Sequence, residues 1–246
     1  MSSSNLAKLE EACVESGSCE SSGMLQIAQK ALAELIGTYL LVFAGCCSVV
    51  LEKQHGNITF PGICLVWGFT VMFLIYTIGH ISGAHFNPAV TVTLTILRKF
   101  PSNEVPLYIA AHVLGSILAS LSLYLLFGTT EKEFFGTVPS GSNIQSLIFE
   151  IITTFLLLFV ACGLSDKNAF GQLGGISVGL VVIVDVFIAG PVSGASMNPA
   201  RTIGPAIVMG IYKGIWVYIV GPFVGALLGA LTYNLIKTPE KDKLKK

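Results

Sequence analysis

The octet Ser82-Gly-Ala-His-Phe-Asn-Pro-Ala89 recurs, with two substitutions, as Ser193-Gly-Ala-Ser-Met-Asn-Pro-Ala200. In both copies Asn precedes Pro, an order that is typical of a helix N-cap followed by the first helical residue. The apolar stretch after each copy is too short to cross a bilayer alone. Each octet therefore predicts a half-helix that enters the membrane and ends inside it.

The sequence around the octets is duplicated as well. Glu34-Leu-Ile-Gly-Thr-Tyr-Leu-Leu-Val-Phe43 aligns with Glu150-Ile-Ile-Thr-Thr-Phe-Leu-Leu-Leu-Phe159 at six identical positions of ten, and Tyr108-Ile109 matches Tyr218-Ile219. Three apolar spans in each half give the two copies opposite orientations, which is the inverted repeat of many membrane transport proteins.

The composition indicates a membrane protein. Hydrophobic residues make up 53% of the chain, charged residues make up 11%, and the mean hydropathy is +0.76, well outside the range of soluble domains. Six apolar stretches approach the length of about 20 residues that a spanning helix needs, at about 31–51, 62–79, 105–127, 144–164, 174–190 and 214–236. We predict an all-α membrane protein with six transmembrane helices and two re-entrant half-helices in an inverted repeat.

The distribution of charge predicts the orientation and limits the partners. Lys and Arg number ten in the two tails and the even-numbered loops and four in the other loops, so we expect both termini in the cytoplasm. Residues 1–29 lack the basic and apolar regions of a cleaved signal peptide. The net charge of zero gives no reason to expect a nucleic-acid partner. The six cysteines lack metal-ligand spacing, and we expect no metal and no cofactor.

Two half-helices that enter from opposite faces would meet near the middle of the membrane. Their positive dipole ends and the amide donors of Asn87 and Asn198 would then point at one place, which disfavours cations and protons. An uncharged molecule regains some of its lost hydrogen bonds from the amides and from loop carbonyls. This arrangement favours a channel for water and small neutral solutes.

The stretches Gly79-His-Ile-Ser-Gly-Ala-His-Phe-Asn-Pro-Ala-Val90 and Gly194-Ala-Ser-Met-Asn-Pro-Ala-Arg201 resemble the signature loops of aquaporins, the major intrinsic protein family. The stretches Gly190-Pro-Val-Ser-Gly-Ala-Ser-Met-Asn-Pro-Ala-Arg201 and Ile58-Thr-Phe-Pro-Gly-Ile63 resemble the plant nodulin-26-like members in particular. The resemblance covers roughly residues 30–237. It implies an aquaporin-like channel domain at 31–236, with halves of about 31–127 and 144–236, between cytoplasmic tails at 1–30 and 237–246.

The resemblance also implies the site and the assembly. Its pore motifs would be Asn87-Pro88-Ala89 and Asn198-Pro199-Ala200, and the protein would be a homotetramer in the lipid bilayer, in the plasma membrane rather than an internal one. Such a channel is not an enzyme and has no catalytic residue.

A selectivity filter of Trp67, Val186, Ala195 and Arg201 follows from the same resemblance. An arginine in a membrane segment is costly unless it lines an aqueous path. Water-selective relatives typically have histidine in place of Val186, so this filter is expected to be wider and less polar, which suits glycerol. Two other features do not agree on the preferred solute. Tyr218-Ile219 departs from the pattern of water-selective members, and Thr202 departs from the pattern of glycerol facilitators. Water, glycerol, lactic acid and metalloid acids therefore all stay open as preferred solutes.

Four further polar residues lie inside predicted spans. Glu34 and Glu150 occupy equivalent repeat positions, and we expect them to stabilise the half-helices by accepting hydrogen bonds from backbone or hydroxyl groups. His112 stands where relatives usually have glutamine, and Asp185 stands where nodulin-26-like members often have asparagine. For these two, a role in pH sensing or pore hydration and a plain structural role both stay open.

Three other functions are weighed against a channel. A secondary transporter of a small solute is the main alternative, but it needs carboxylates placed to bind a coupling ion, and Glu34 and Glu150 lie near span ends. A hydrolase using Ser82 or Ser193 would need to explain a duplicated nucleophile. A non-conducting adhesion or junction protein would need a blocked pore, whereas Ala195 and Val186 are small.

Overall fold

The computed structural model describes the backbone of residues 3–164 and 173–237, and side chains from residue 23 onward. In these ranges the chain forms eight α-helices and no strand: α1 (Ser3–His55), α2 (Thr59–Ser82), α3 (Pro88–Ile96), α4 (Val105–Phe127), α5 (Asn143–Leu164), α6 (Gly174–Ser193), α7 (Pro199–Met209) and α8 (Val217–Ile236). The predicted all-α fold class is confirmed.

Six helical segments of the described chain are long and apolar enough to cross a membrane: Gly23–His55, Thr59–Ser82, Ser102–Phe127, Asn143–Leu164, Gly174–Ser193 and Val217–Ile236. They correspond one to one with the six predicted spans. Their outward faces carry large apolar side chains, among them Phe69 and Phe73, which are each 50% exposed. Apolar exposure on this scale fits contact with lipid.

Helix α1 begins far earlier than the first predicted span. It starts at Ser3, so the predicted boundary between tail and membrane domain at residue 30 does not coincide with a helix end. Side chains before Gly23 lie outside the described residues, and so does the predicted C-terminal tail beyond Lys237.

Helices α3 and α7 are the two short helices that the octets predict. They contain 9 and 11 residues, which at 1.5 Å per residue is about 14 and 16 Å, or together about the 30 Å of a bilayer core. Asn87 and Asn198 are their N-caps, with φ of −152° and −151°. The Asn87 Oδ1 accepts from Ala89 N at 2.9 Å, and the Asn198 Oδ1 accepts from Ala200 N at 2.9 Å.

The packing of the helices repeats in the two halves. Helix α1 packs on α4 as α5 packs on α8, and each half-helix packs on the last span of the other half, α3 on α8 and α7 on α4. Small residues allow the close approach. A Cβ on Gly115 would lie 2.6 Å from the Leu35 carbonyl oxygen, and one on Gly225 would clash in the same way with the Ile151 carbonyl oxygen.

Candidate solute pore

The two half-helices are joined at their N-termini by reciprocal hydrogen bonds. The Asn87 Nδ2 donates to the Met197 carbonyl oxygen at 2.7 Å, and the Asn198 Nδ2 donates to the Phe86 carbonyl oxygen at 2.8 Å. Each asparagine thus caps its own helix through its oxygen and holds the other loop through its nitrogen. One N–H of each amide is used in this way, which leaves the second for a molecule between the helices.

The loops before the two asparagines have a strained backbone at equivalent positions. Ala84 and Phe86 have φ of 52° and 51°, and Ala195 and Met197 have φ of 48° and 53°. Left-handed conformations in residues other than glycine cost about 1–3 kcal/mol each and persist only when neighbouring groups hold them. Neighbouring groups must therefore hold both loops in these conformations.

Two buried carboxylates supply that stabilisation. Glu34 accepts from His85 N at 3.0 Å and from Phe86 N at 2.7 Å. Glu150 accepts from Ser196 N at 2.8 Å and from Met197 N at 2.7 Å. Both glutamates are fully buried, and each carboxylate binds the two amides that directly precede an N-cap asparagine.

The third partner of each carboxylate differs between the halves. Glu34 Oε2 lies 2.7 Å from the His112 Nε2, whereas Glu150 Oε1 accepts from the Ser193 hydroxyl at 2.7 Å. The other ring nitrogen of His112 is buried and has no partner among the described residues. Asp185 is also buried, with neither carboxyl oxygen bonded in the described part of the chain. His112 and Asp185 are absent from the lining of the cavity described next.

A cavity of about 460 Å³ runs past the joined half-helices. Its wall includes both N-cap asparagines and all four predicted filter residues, Trp67, Val186, Ala195 and Arg201. These four side chains are between 4% and 7% exposed. Positions that lie far apart in the sequence are therefore brought to one cavity, most of whose remaining wall is apolar.

Arg201 is the fixed cation of this cavity. Its Cζ lies 5.0 Å from the centroid of the Trp67 ring, within the distance of a cation–π contact. Within residues 23–164 and 173–237, no carboxylate lies within ion-pair distance of the Arg201 guanidinium, and its Nε and Nη1 are buried without a hydrogen-bond partner. In this part of the chain, therefore, no carboxylate partner neutralises the guanidinium beside the cavity.

Sequence reasoning did not identify Gly45, which makes room for Trp67. A Cβ on Gly45 would overlap the Trp67 indole ring, so only glycine on α1 allows the ring to occupy this position. A glycine inside a membrane helix is the available signal, but the residue that packs against it is on another helix.

Comparisons with known proteins agree with this geometry. Residues 21–233 match the family model described as Major intrinsic protein. The chain is 58% identical over 226 residues to a probable aquaporin NIP-type of Nicotiana alata, covering 92% of this chain and 84% of that protein. It is 53% identical over 215 residues to nodulin-26 of Glycine max, covering 87% and 79%. The X-ray structure of the aquaglyceroporin from Plasmodium falciparum superposes with a TM-score of 0.78 at 26% identity, covering 85% of this chain and 96% of that one.

Proposed function

Because the chain belongs to the major intrinsic protein family and is an integral membrane channel for water and small solutes, we propose that glycerol-sized neutral molecules pass through its cavity. The observation that carries this proposal is that two half-helix N-termini are joined beside one cavity. Among the described residues, that cavity has a single unpaired cation, Arg201, which lies over the Trp67 ring. The family is one of channels and not of enzymes.

The joined asparagines are proposed to exclude protons and cations. The N-termini of both half-helices carry partial positive charge, and the spare amide hydrogens of Asn87 and Asn198 attract the oxygen of a passing molecule. A water held by its oxygen at this point directs both hydrogens away from the half-helices. That orientation interrupts the hydrogen-bonded chain along which a proton would move.

Trp67, Val186, Ala195 and Arg201 are proposed as the selectivity filter. Arg201 offers donors to solute hydroxyls, while Trp67 and Val186 form an apolar wall for the carbon skeleton. Ala195 leaves space between them. A solute with hydroxyls on one side and carbon on the other, such as glycerol, suits this combination, and the structural similarity to a protein named as an aquaglyceroporin supports the choice.

Glu34 and Glu150 are proposed to be structural. All four of their oxygens accept hydrogen bonds from, or lie against, named partners. A secondary transporter would need such carboxylates for a coupling ion. The bonds to the loops leave them poorly suited to that task, and nothing in the comparisons favours a transporter.

Orientation, location and assembly are part of the proposal. The excess of Lys and Arg in the tails and even-numbered loops supports cytoplasmic termini. We propose the plasma membrane as the location and a homotetramer as the assembly. Each subunit would carry its own pore, since residues of a single chain line the cavity.

Stopped-flow light scattering on proteoliposomes tests the proposed solute. Water and glycerol permeabilities are compared for the wild type, the double variant Trp67→His with Val186→His, and the control Trp216→His, whose tryptophan is 43% exposed and outside the cavity. We expect fast glycerol flux in the wild type and in the control, and loss of glycerol flux with retained water flux in the double variant. Water flux without glycerol flux in the wild type would refute glycerol as a solute.

A further inference from the structure

The segment 128–142, which connects α4 to α5, is anchored at its start to the end of α1. The Lys53 Nζ donates to the Phe134 carbonyl oxygen at 2.7 Å, and the Gln54 Nε2 donates to the Glu133 Oε1 at 3.1 Å. The backbone N–H of Thr130 donates to the Glu133 Oε2 at 2.9 Å and lowers the pKa of that carboxyl below its usual range. This half of the segment is therefore held in place at neutral pH.

The second half of the segment is anchored beside the cavity. Phe135 is fully buried in the core cluster that includes Trp67 and Val186. The backbone N–H of Ser140 donates to the Val192 carbonyl oxygen at 3.0 Å. The segment thus contacts the last turn of α6, next to the loop that leads into α7.

Between these anchors, Thr137 begins a chain of three buried hydroxyls. The Thr137 Oγ1 lies 2.6 Å from the Thr202 Oγ1, which lies 2.7 Å from the Ser196 Oγ. The Ser196 hydroxyl donates to the Asn198 carbonyl oxygen at 2.8 Å. Because a hydroxyl has one proton, Thr202 must donate to Ser196 and Thr137 must donate to Thr202. The chain therefore runs in one direction, from the connecting segment to the backbone of the second Asn-Pro-Ala motif.

In the first half of the molecule, the equivalent hydrogen bonds join only residues of the same loop and half-helix. By the repeat, His85 occupies the position of Ser196 and Thr91 that of Thr202. The His85 Nδ1 lies 2.9 Å from the Thr91 Oγ1, and that hydroxyl donates to the Asn87 carbonyl oxygen at 3.3 Å. Among the described residues, a residue from a connecting segment is thus added only in the half that contains Arg201.

The position of Arg201 depends on this chain of hydroxyls more than the position of an arginine with its own hydrogen-bond partners would. Its side chain has no hydrogen-bond partner at Nε or Nη1 among the described residues and rests on one face of Trp67. The position of the guanidinium is therefore set by the first turn of α7, where Thr202 is the next residue. A shift of that turn would move the cation relative to the tryptophan ring.

We propose that Thr137 is a positioning residue for solute selectivity, which acts through Thr202 and Ser196 to fix Arg201 against Trp67. The inference rests on the proposed filter. It assigns two contacts to one side chain. The hydroxyl binds Thr202, and the methyl group packs against Gly194, where an added Cβ would lie 3.1 Å from the Thr137 Cγ2.

A matched pair of substitutions separates these two contacts. Thr137→Val keeps the methyl contact and removes the donor, whereas Thr137→Ser keeps the donor and removes the methyl. In proteoliposomes we expect Thr137→Val to change the ratio of glycerol to water permeability about 3- to 10-fold, the equivalent of one lost buried hydrogen bond. Thr137→Ser should keep the wild-type ratio.

A second measurement does not depend on the solute. In a Trp216→Phe background Trp67 is the only tryptophan, so its fluorescence reports its contact with Arg201. We expect Thr137→Val, but not Thr137→Ser, to shift the emission of Trp67. Thr202→Val and Thr202→Ser form a second pair, which breaks or keeps the same chain one link further on, if Thr137→Val does not fold.

The outcomes are distinguishable. A wild type that passes no glycerol refutes the proposed solute, and the fluorescence pair then decides the role of Thr137 by itself. If Thr137→Val lowered glycerol and water permeability equally and left the Trp67 emission unchanged, Thr137 would have only a structural role, and the inference would be overturned. The same would follow if Thr137→Ser behaved like Thr137→Val.

Discussion

Replacing Glu150 by glutamine tests how the second half-helix is held. The carboxylate accepts from the Ser193 hydroxyl and from the amides of Ser196 and Met197, at 2.7, 2.8 and 2.7 Å. A carboxamide presents one oxygen and one NH2 group, so at least one of these buried donors would face another donor. Hydrogen bonds to charged groups contribute about 1.5–3 kcal/mol each, so the loss of one or two of them costs about 1.5–6 kcal/mol.

This loss should appear as lower thermal stability and lost permeability. For a chain of this size each 1 kcal/mol corresponds to about 2–4 °C, so we expect the Tm of Glu150→Gln in detergent to fall by roughly 3–24 °C. The strained backbone at Ala195 and Met197 would relax, and glycerol and water permeability would both fall. Glu131→Gln, at an exposed glutamate, is the control. A Tm and permeabilities equal to those of the control would refute the argument that the carboxylate holds the loop.

Three further predictions use the same assays. Gly45→Ala would displace the cavity tryptophan, at a cost of about 1–3 kcal/mol for overpacking, and should lower glycerol permeability. Gly23→Ala is the control, because an added Cβ there meets nothing within 4 Å. Equal glycerol flux in the two variants would contradict the proposed packing. Arg201→Val removes the fixed cation, so we expect measurable cation conductance in planar bilayers, and a conductance still at background would mean that the joined half-helices exclude cations alone. His112→Gln keeps a donor for Glu34 and should keep the wild-type Tm, whereas His112→Leu should lower the Tm by several degrees, about the effect of 1–3 kcal/mol for an unpaired buried group; a pH dependence of flux between about 5 and 8 that disappears in His112→Gln would instead identify a pH sensor.

The sequence predicts the fold well where local patterns determine it. The Asn-Pro order marks the starts of α3 and α7, and the six apolar stretches coincide with the six long helices. The differences at the ends have local causes. Helix α2 continues to Ser82 because the chain turns only at Gly83, with φ of 93°, and α8 begins at Val217 because Gly214, with φ of 69°, still belongs to a turn.

The contacts that shape the cavity are harder to predict because they join distant residues. Thr137 and Thr202 are 65 positions apart, and the segment around Thr137 carries no periodicity or motif. A glycine is required at position 45 only because Trp67 on the next helix packs against it. In both cases the signal lies in a pair of residues, and no single stretch of sequence contains it.

The inverted repeat bears on why the proposed selectivity filter lies at one end of the pore. Duplication makes the scaffold symmetric, because the carboxylates, the strained loops and the asparagines all recur. It does not make the filter symmetric. By the same repeat, the counterparts of Trp67, Val186, Ala195 and Arg201 are all apolar, and all of them line the cavity: Val178, Ile75, Ala84 and Val90.

One set of positions therefore carries a cation and an indole, and its mirror set carries only apolar side chains. A solute meets directional hydrogen bonding at one end and an apolar wall at the other. Substitutions in the filter can then change which solute passes without disturbing the bonds of Glu34 and Glu150 to the loops, since none of the four filter side chains takes part in those bonds. The duplicated scaffold joins the two half-helix N-termini, which disfavour ions. The unduplicated residues are proposed to add the fixed cation Arg201 and the choice among neutral solutes.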